Sequence, residues 1–161
     1  MGIQENITAG TAVGREPSSR ISPAAAEWAQ KERGISLETL ALMPVASGTA
    51  FFRDLNRKSD AVFFQFKEGW KARAYPEKEF TAGGGFKLSF WNLDRVLKAA
   101  PAEVFIVEGE LDACALVEAG IPPDRVLSVP NGAKAKPAED PQEMRGYDYV
   151  KEALAAGLSK V

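Results

Sequence analysis

The chain contains no histidine and a single cysteine among its 161 residues. Those two shortages exclude an internal disulfide and any zinc site assembled from histidine and cysteine ligands. The lone thiol, Cys114, lies on an apolar helical stretch and reads as a small core residue, in keeping with a reducing cytoplasm. No apolar run approaches the length that spans a bilayer, and Met1 to Arg20 is Gly, Thr, Ser, Pro and charge, a disordered tail rather than a signal peptide. A large excess of one charge is missing too, because 20 basic residues face 22 acidic ones.

The distribution of charge is more telling than its sum. Arg53, Arg57, Lys58, Lys67, Lys71, Arg73, Lys78 and Lys87 fall between residues 50 and 90, whereas acids dominate from Glu103 to Asp112 and from Glu139 to Glu143. A basic lobe facing an acidic site would suit phosphoryl transfer on a polynucleotide. Scattered lysines that solvate strands give the same composition.

The expected fold class is α+β, with a helical and antiparallel-β N-terminal subdomain followed by a partial α/β subdomain. Ser22-Pro23 is a helix start, Ala24 to Arg33 follow as helix formers, and Gly34 ends them. A second short helix is capped by Ser36 and stops before Pro44. Val45 to Phe52, Ala61 to Phe66 and Trp70 to Tyr75 form an antiparallel meander with one core face and one partly exposed face. Gly83-Gly84-Gly85 reads as a mobile loop, since no Lys-Ser or Lys-Thr follows in the phosphate-loop pattern, and Phe86 to Phe90 as a short strand. After a short helix in Trp91 to Ala99, with Asp94 or Asn92 as its cap, comes strand, helix, strand at Val104 to Val107, Leu111 to Ala119 and Val126 to Val129. A last helix runs from Tyr147 to Leu158, its apolar stripe being Tyr147, Val150, Leu154 and Leu158. The expected organisation is thus a tail at 1–21, a basic subdomain at 22–100 and the α/β part at 101–161.

The most informative stretch is Val-Phe-Ile-Val-Glu-Gly-Glu-Leu-Asp-Ala, residues 104–113. An apolar run without alternation suits a strand covered on both faces, and parallel sheets collect their chemistry at the carboxyl ends of strands. Glu108 falls at that end, Gly109 lets the backbone turn, and Asp112 lies in the first turn of the next helix. Carboxylates so placed suit a divalent ion and phosphates. An acid in a first helical turn is also favoured by the helix dipole alone, so Asp112 has a structural reading beside the functional one.

The Glu108-to-Ala113 motif, the helix from Cys114 to Ala119 and the strand Arg125 to Ala133 together resemble the Toprim domain of primases, in the version of phage primase-helicases and the mitochondrial helicase Twinkle. Ser22 to Leu42, with Arg33-Gly34-Ile35-Ser36, resembles the helical lead-in of that family. Phe52-Arg53-Asp54 through Arg73, with Lys78-Glu79-Phe80, resembles its basic half. The resemblance covers roughly Ser22 to Val161. It implies a DNA primase that makes RNA primers on single-stranded DNA from ribonucleoside triphosphates, using Mg2+ or Mn2+ and no zinc in this part, partnered by a replicative helicase and not by a membrane.

By resemblance, Glu108 is general base or metal partner and Asp112 supports it. Lys71, Arg73, Lys78 and, more weakly, Arg53 contact nucleotide phosphates or the template-primer duplex. Gly109, Asn131 and Gly132 shape turns beside the site, and Glu110 is a bystander. In the family the next strand ends in an Asp-x-Asp pair, which this sequence does not contain. The resemblance therefore implies a polymerase domain cut off within Toprim, weakly active or inactive as it stands. The competing readings are a non-catalytic nucleic-acid or partner-binding module and another Toprim enzyme such as a nuclease or topoisomerase.

Overall fold

A computed structural model of the chain describes residues 20–132 and 147–158. Of the expected tail at 1–21, residues 1–19 lie outside the described residues, as does the turn beyond Gly132, whereas Ile21 is buried and so belongs to the folded unit. The chain divides into two compact units between Phe86 and Lys87. It is mixed α+β, with one four-stranded antiparallel sheet and one two-stranded parallel sheet. No helix among the described residues is long and apolar enough to cross a membrane.

In the first unit, α1 (Pro23–Arg33) is capped as its sequence requires: the Ser22 hydroxyl accepts from the Ala25 amide, and Gly34 closes the other end at φ 66°. Ser36 does the same for α2 (Leu37–Leu42), accepting from the Thr39 amide. Strands β1 (Val45–Phe52), β2 (Arg57–Gln65), β3 (Trp70–Ala74) and β4 (Phe80–Gly83) then follow in sequence order across an antiparallel sheet.

Two cores share this sheet. On one face Val45, Val62 and Phe64 are buried, and the helices meet it where the Ser22 amide donates to the Ser47 hydroxyl and Trp28 reaches Arg73 and Tyr75. On the other, Ala46, Ala50, Ala61, Ala72 and Ala74 surround Phe52, Phe63 and Trp70. Alanines on that face let the sheet curl until β1 approaches β4, so three aromatic side chains fill its hollow. Both faces of β2 are therefore buried, in place of the single core face its alternation suggests.

Two of the three glycines, Gly83 and Gly84, lie against Trp70, while Gly85 has open space around it. Gly83 ends β4 against the Trp70 indole, and a Cβ there would stand 2.6 Å from its ring. The expected strand at Phe86 to Phe90 does not form, and the strand forms just before the glycines instead.

The second unit contains α3 (Leu93–Ala99), β5 (Phe105–Val107), α4 (Glu110–Glu118), a short 3-10 turn (Pro123–Arg125), β6 (Val126–Ser128) and α5 (Asp148–Ala155). Strands β5 and β6 pair in parallel, Phe105 with Val126 and Val107 with Ser128. On the far side of β6 the Trp91 amide donates to the Ser128 carbonyl, which explains why Val126, Leu127 and Ser128 are all buried. Phe90, Val96, Leu127, Tyr149 and Ala153 form the core. The segment 87–100, grouped with the N-terminal subdomain by sequence, thus packs through Trp91 and Val96 within the second unit.

Asn92 takes a left-handed φ of 70° before α3, and its side-chain amide donates to the carbonyls of Pro123 and Val126. One expectation fails in this unit: β5 is not covered on both faces, for Ile106 is 52% exposed.

Candidate functional site

Glu108 follows the last residue of β5 and precedes α4, and it is exposed. The parallel pairing of β5 with β6 makes this the carboxyl end of a parallel strand, where oriented backbone and a helix start meet. Gly109 is the N-cap residue of α4 and supplies no side-chain cap. Its φ of −142° is open to any residue, so glycine is not needed here for a sharp turn. A Cβ at Gly109 would lie 2.9 Å from the Asp112 Oδ2, the end of an exposed side chain that can swing aside. The Asp112 carboxylate is folded back over the helix start, where the dipole favours negative charge, so its structural reading has a geometric basis.

The three acids of this stretch, alike in sequence, are unlike in space. Glu108 and Asp112 are exposed, whereas Glu110 is 3% exposed in the first turn of α4. One turn further on, burial pushes the Cys114 thiol strongly up, and the charges of Glu110 and Asp112 push the same way. The thiol is inert packing, not a nucleophile. Asn131 is exposed in the turn after β6, and Gly132 sits there at a left-handed φ of 71°.

The cations of the first unit divide equally sharply. Arg53 and Lys78 are exposed, the first in the β1–β2 turn and the second in the β3–β4 connection. Lys71 is half-buried, with its ammonium 5.5 Å from the centre of the Phe80 ring. Arg73 is only 8% exposed and lies beneath α1 with its guanidinium 4.9 Å from the Trp28 ring. Burial lowers its pKa, and the nearby charge of Arg33 lowers it further. The Phe80 ring is exposed and lies beside Lys71. The alternation of Phe80 with Lys78 is the signal that marks it as outward-facing.

A cavity of about 340 Å³ in the same unit is walled by Arg57, Lys58, Asp60, Tyr75 and Glu77 among others. Arg57 is paired with Glu77, and the two cations of the wall are matched by two carboxylates, so it offers no net charge to a polyanion.

Among the described residues, no three acidic or cysteine side chains stand close enough to hold a metal ion by themselves. Magnesium does not require that: it keeps several waters and is often held through one or two carboxylates together with substrate phosphates. The exposed Glu108 carboxylate fits such a shared arrangement. No protein-family model, curated protein or solved structure matches the chain.

Proposed function

We propose that the chain is part of a DNA primase, a partial Toprim unit joined to the basic half of a polymerase domain, that makes RNA primers on single-stranded DNA. The observation carrying this reading is the exposed carboxylate of Glu108 at the carboxyl end of β5, immediately before α4. In the reaction, a 3′-hydroxyl oxygen forms a bond to the α-phosphorus of the next ribonucleoside triphosphate as the bond to pyrophosphate breaks. Glu108 takes the hydroxyl proton or holds the ion that arrives with the nucleotide. A bound Mg2+ or Mn2+ would neutralise the triphosphate. Asp112 adds negative charge one helical turn away, and Lys71, Lys78 and Arg53 offset phosphate charge on the polynucleotide. The proposed partners are the template strand, ribonucleoside triphosphates and a replicative helicase, in the cytoplasm.

The test is template-dependent incorporation of labelled ribonucleotides on single-stranded DNA in Mg2+. Short products are expected at a low rate, because this sequence holds no Asp-x-Asp pair, and Glu108→Gln lowers the rate by a further factor of about 10²–10⁴, as loss of a positioned base or ion partner does. Product that is indifferent to Glu108→Gln overturns the reading. So does a folded protein that makes no product and binds no metal-nucleotide complex. The competing reading is a nucleic-acid or partner-binding module without chemistry. Nucleic-acid binding that persists with no incorporation on any template would select it.

A further inference from the structure

We propose that the groove between α3 and residues 122–124 of the second unit docks an extended protein segment in which an acidic residue stands beside an apolar one. The groove measures about 540 Å³, a size that holds side chains rather than a few waters. Ala99, Pro122 and Pro123 give it apolar surface. Arg95 and Lys98, one helical turn apart on α3, give it positive charge. Helix and turn are more than twenty residues apart in sequence, so no contiguous stretch displays the combination.

The two sides are held at a fixed spacing. Asn92, the residue before α3, donates from its side-chain amide to the carbonyl of Pro123 at 2.7 Å and to that of Val126 at 2.9 Å. It does so from a left-handed φ of 70°, and the prolines opposite have their own φ locked by their rings. A groove whose walls are already ordered costs an incoming flexible segment less to occupy.

Folding accounts for part of this surface and leaves the rest. Pro122 and Ala99 are exposed, so their apolar area is not spent on the core. A cation in the last turn of a helix is favoured by the dipole, which explains Lys98; Arg95 lies in the first turn, where the dipole opposes it. Lys98 forms no ion pair with a described residue. An acidic side chain from outside would complement both cations.

The lining selects protein over nucleic acid. A phosphate chain would meet Asp124 as well as the cations, and no aromatic ring lines the groove to stack a base. A protein segment can set one carboxylate toward Arg95 and Lys98 and an apolar side chain on the prolines, while its backbone amides donate to Asp124. The inference is independent of Glu108 and of the polynucleotide partner in the reading above.

The test is selection of a random heptapeptide phage library on the immobilised full chain, followed by fluorescence anisotropy of the enriched peptides in solution. The enriched peptides are expected to share an Asp or Glu next to a large aliphatic or aromatic residue. Lys98→Glu should weaken them about 5- to 30-fold, and so should serine in place of the peptide's apolar residue. Lysine in place of the peptide's acid should weaken binding to the parent and restore it to Lys98→Glu, a reversal that a merely structural Lys98 would not produce. Lys151→Glu, on α5 and outside the groove lining, should change nothing.

An absence of enriched peptides overturns the proposal, as do enriched peptides without the acid and apolar pair, or equal affinity for the parent and Lys98→Glu. Displacement of the peptide by single-stranded oligothymidylate at moderate salt also overturns it and assigns the groove to nucleic acid. Because Lys98 is exposed, its variant should melt with the parent, and thermal unfolding verifies this.

Discussion

The two sheets of this protein solve the burial problem in opposite ways. The antiparallel sheet is closed by its own curvature and by two helices, so β2 is buried on both faces from Ala61 to Phe64. The parallel sheet has only two strands among the described residues. Its inner strand β6 is wholly buried between β5 and Trp91, while β5 leaves Ile106 in solvent. Similar apolar runs thus have different fates, decided by what lies beside each strand rather than by the run itself. The contrast also separates roles: the closed sheet carries its distinctive side chains on its edge and outer face, and the open one carries Glu108 at a strand end.

The comparison can be broken most forcefully at the two cores. Phe63→Ala, in the hollow of the curled sheet, should cost about 3–5 kcal/mol and Leu127→Ala, in β6, about 2–5 kcal/mol, measured by denaturant unfolding. A smaller loss at Phe63 would mean that the hollow collapses around the deletion and is less closed than described. Next in size is Gly83→Ala, whose Cβ would overlap the Trp70 ring; about 1–3 kcal/mol of destabilisation is expected from overpacking, with a change in near-ultraviolet circular dichroism. No change would show that the glycines are there for mobility.

Titration sharpens the contrast from the second unit. Burial raises the Cys114 thiol above its ordinary value of 9.0, so the folded form keeps a proton that the unfolded chain releases. Stability from this group is intact below that value and falls as pH rises above it, by the linkage between proton binding and folding. Cys114→Ala should flatten that alkaline decline, and alkylation of the thiol at pH 8 should require denaturant. Rapid labelling of the native protein would contradict the packing of α4. The smallest effect belongs to Ile106→Thr, expected within about 0.5 kcal/mol because the side chain is exposed. A cost as large as that of a buried isoleucine would show that another surface covers β5 in solution.

Much of the framework was legible because its signals are local. Ser22-Pro23, Gly34 and Ser36 set both helices of the lead-in through hydrogen bonds within a few residues. The acid-glycine break after Val107 likewise placed Glu108 at a strand end. Other features depend on partners remote in sequence. The burial of Arg73 requires Trp28, the exposure of Phe80 follows from β4 being the edge, and the packing of Gly83 requires Trp70. The acids Glu108, Glu110 and Asp112 look equivalent in a row of letters. Only the start of α4 turns the middle one inward.

That last distinction is where the functional account is most exposed. Proton relaxation of water by Mn2+, titrated with ATP and the chain, reads directly whether a metal-nucleotide complex is held at a protein carboxylate. The account predicts an enhancement in the parent protein that Glu108→Gln abolishes without moving the melting temperature, because Glu108 is exposed. An enhancement unchanged by that substitution would contradict it.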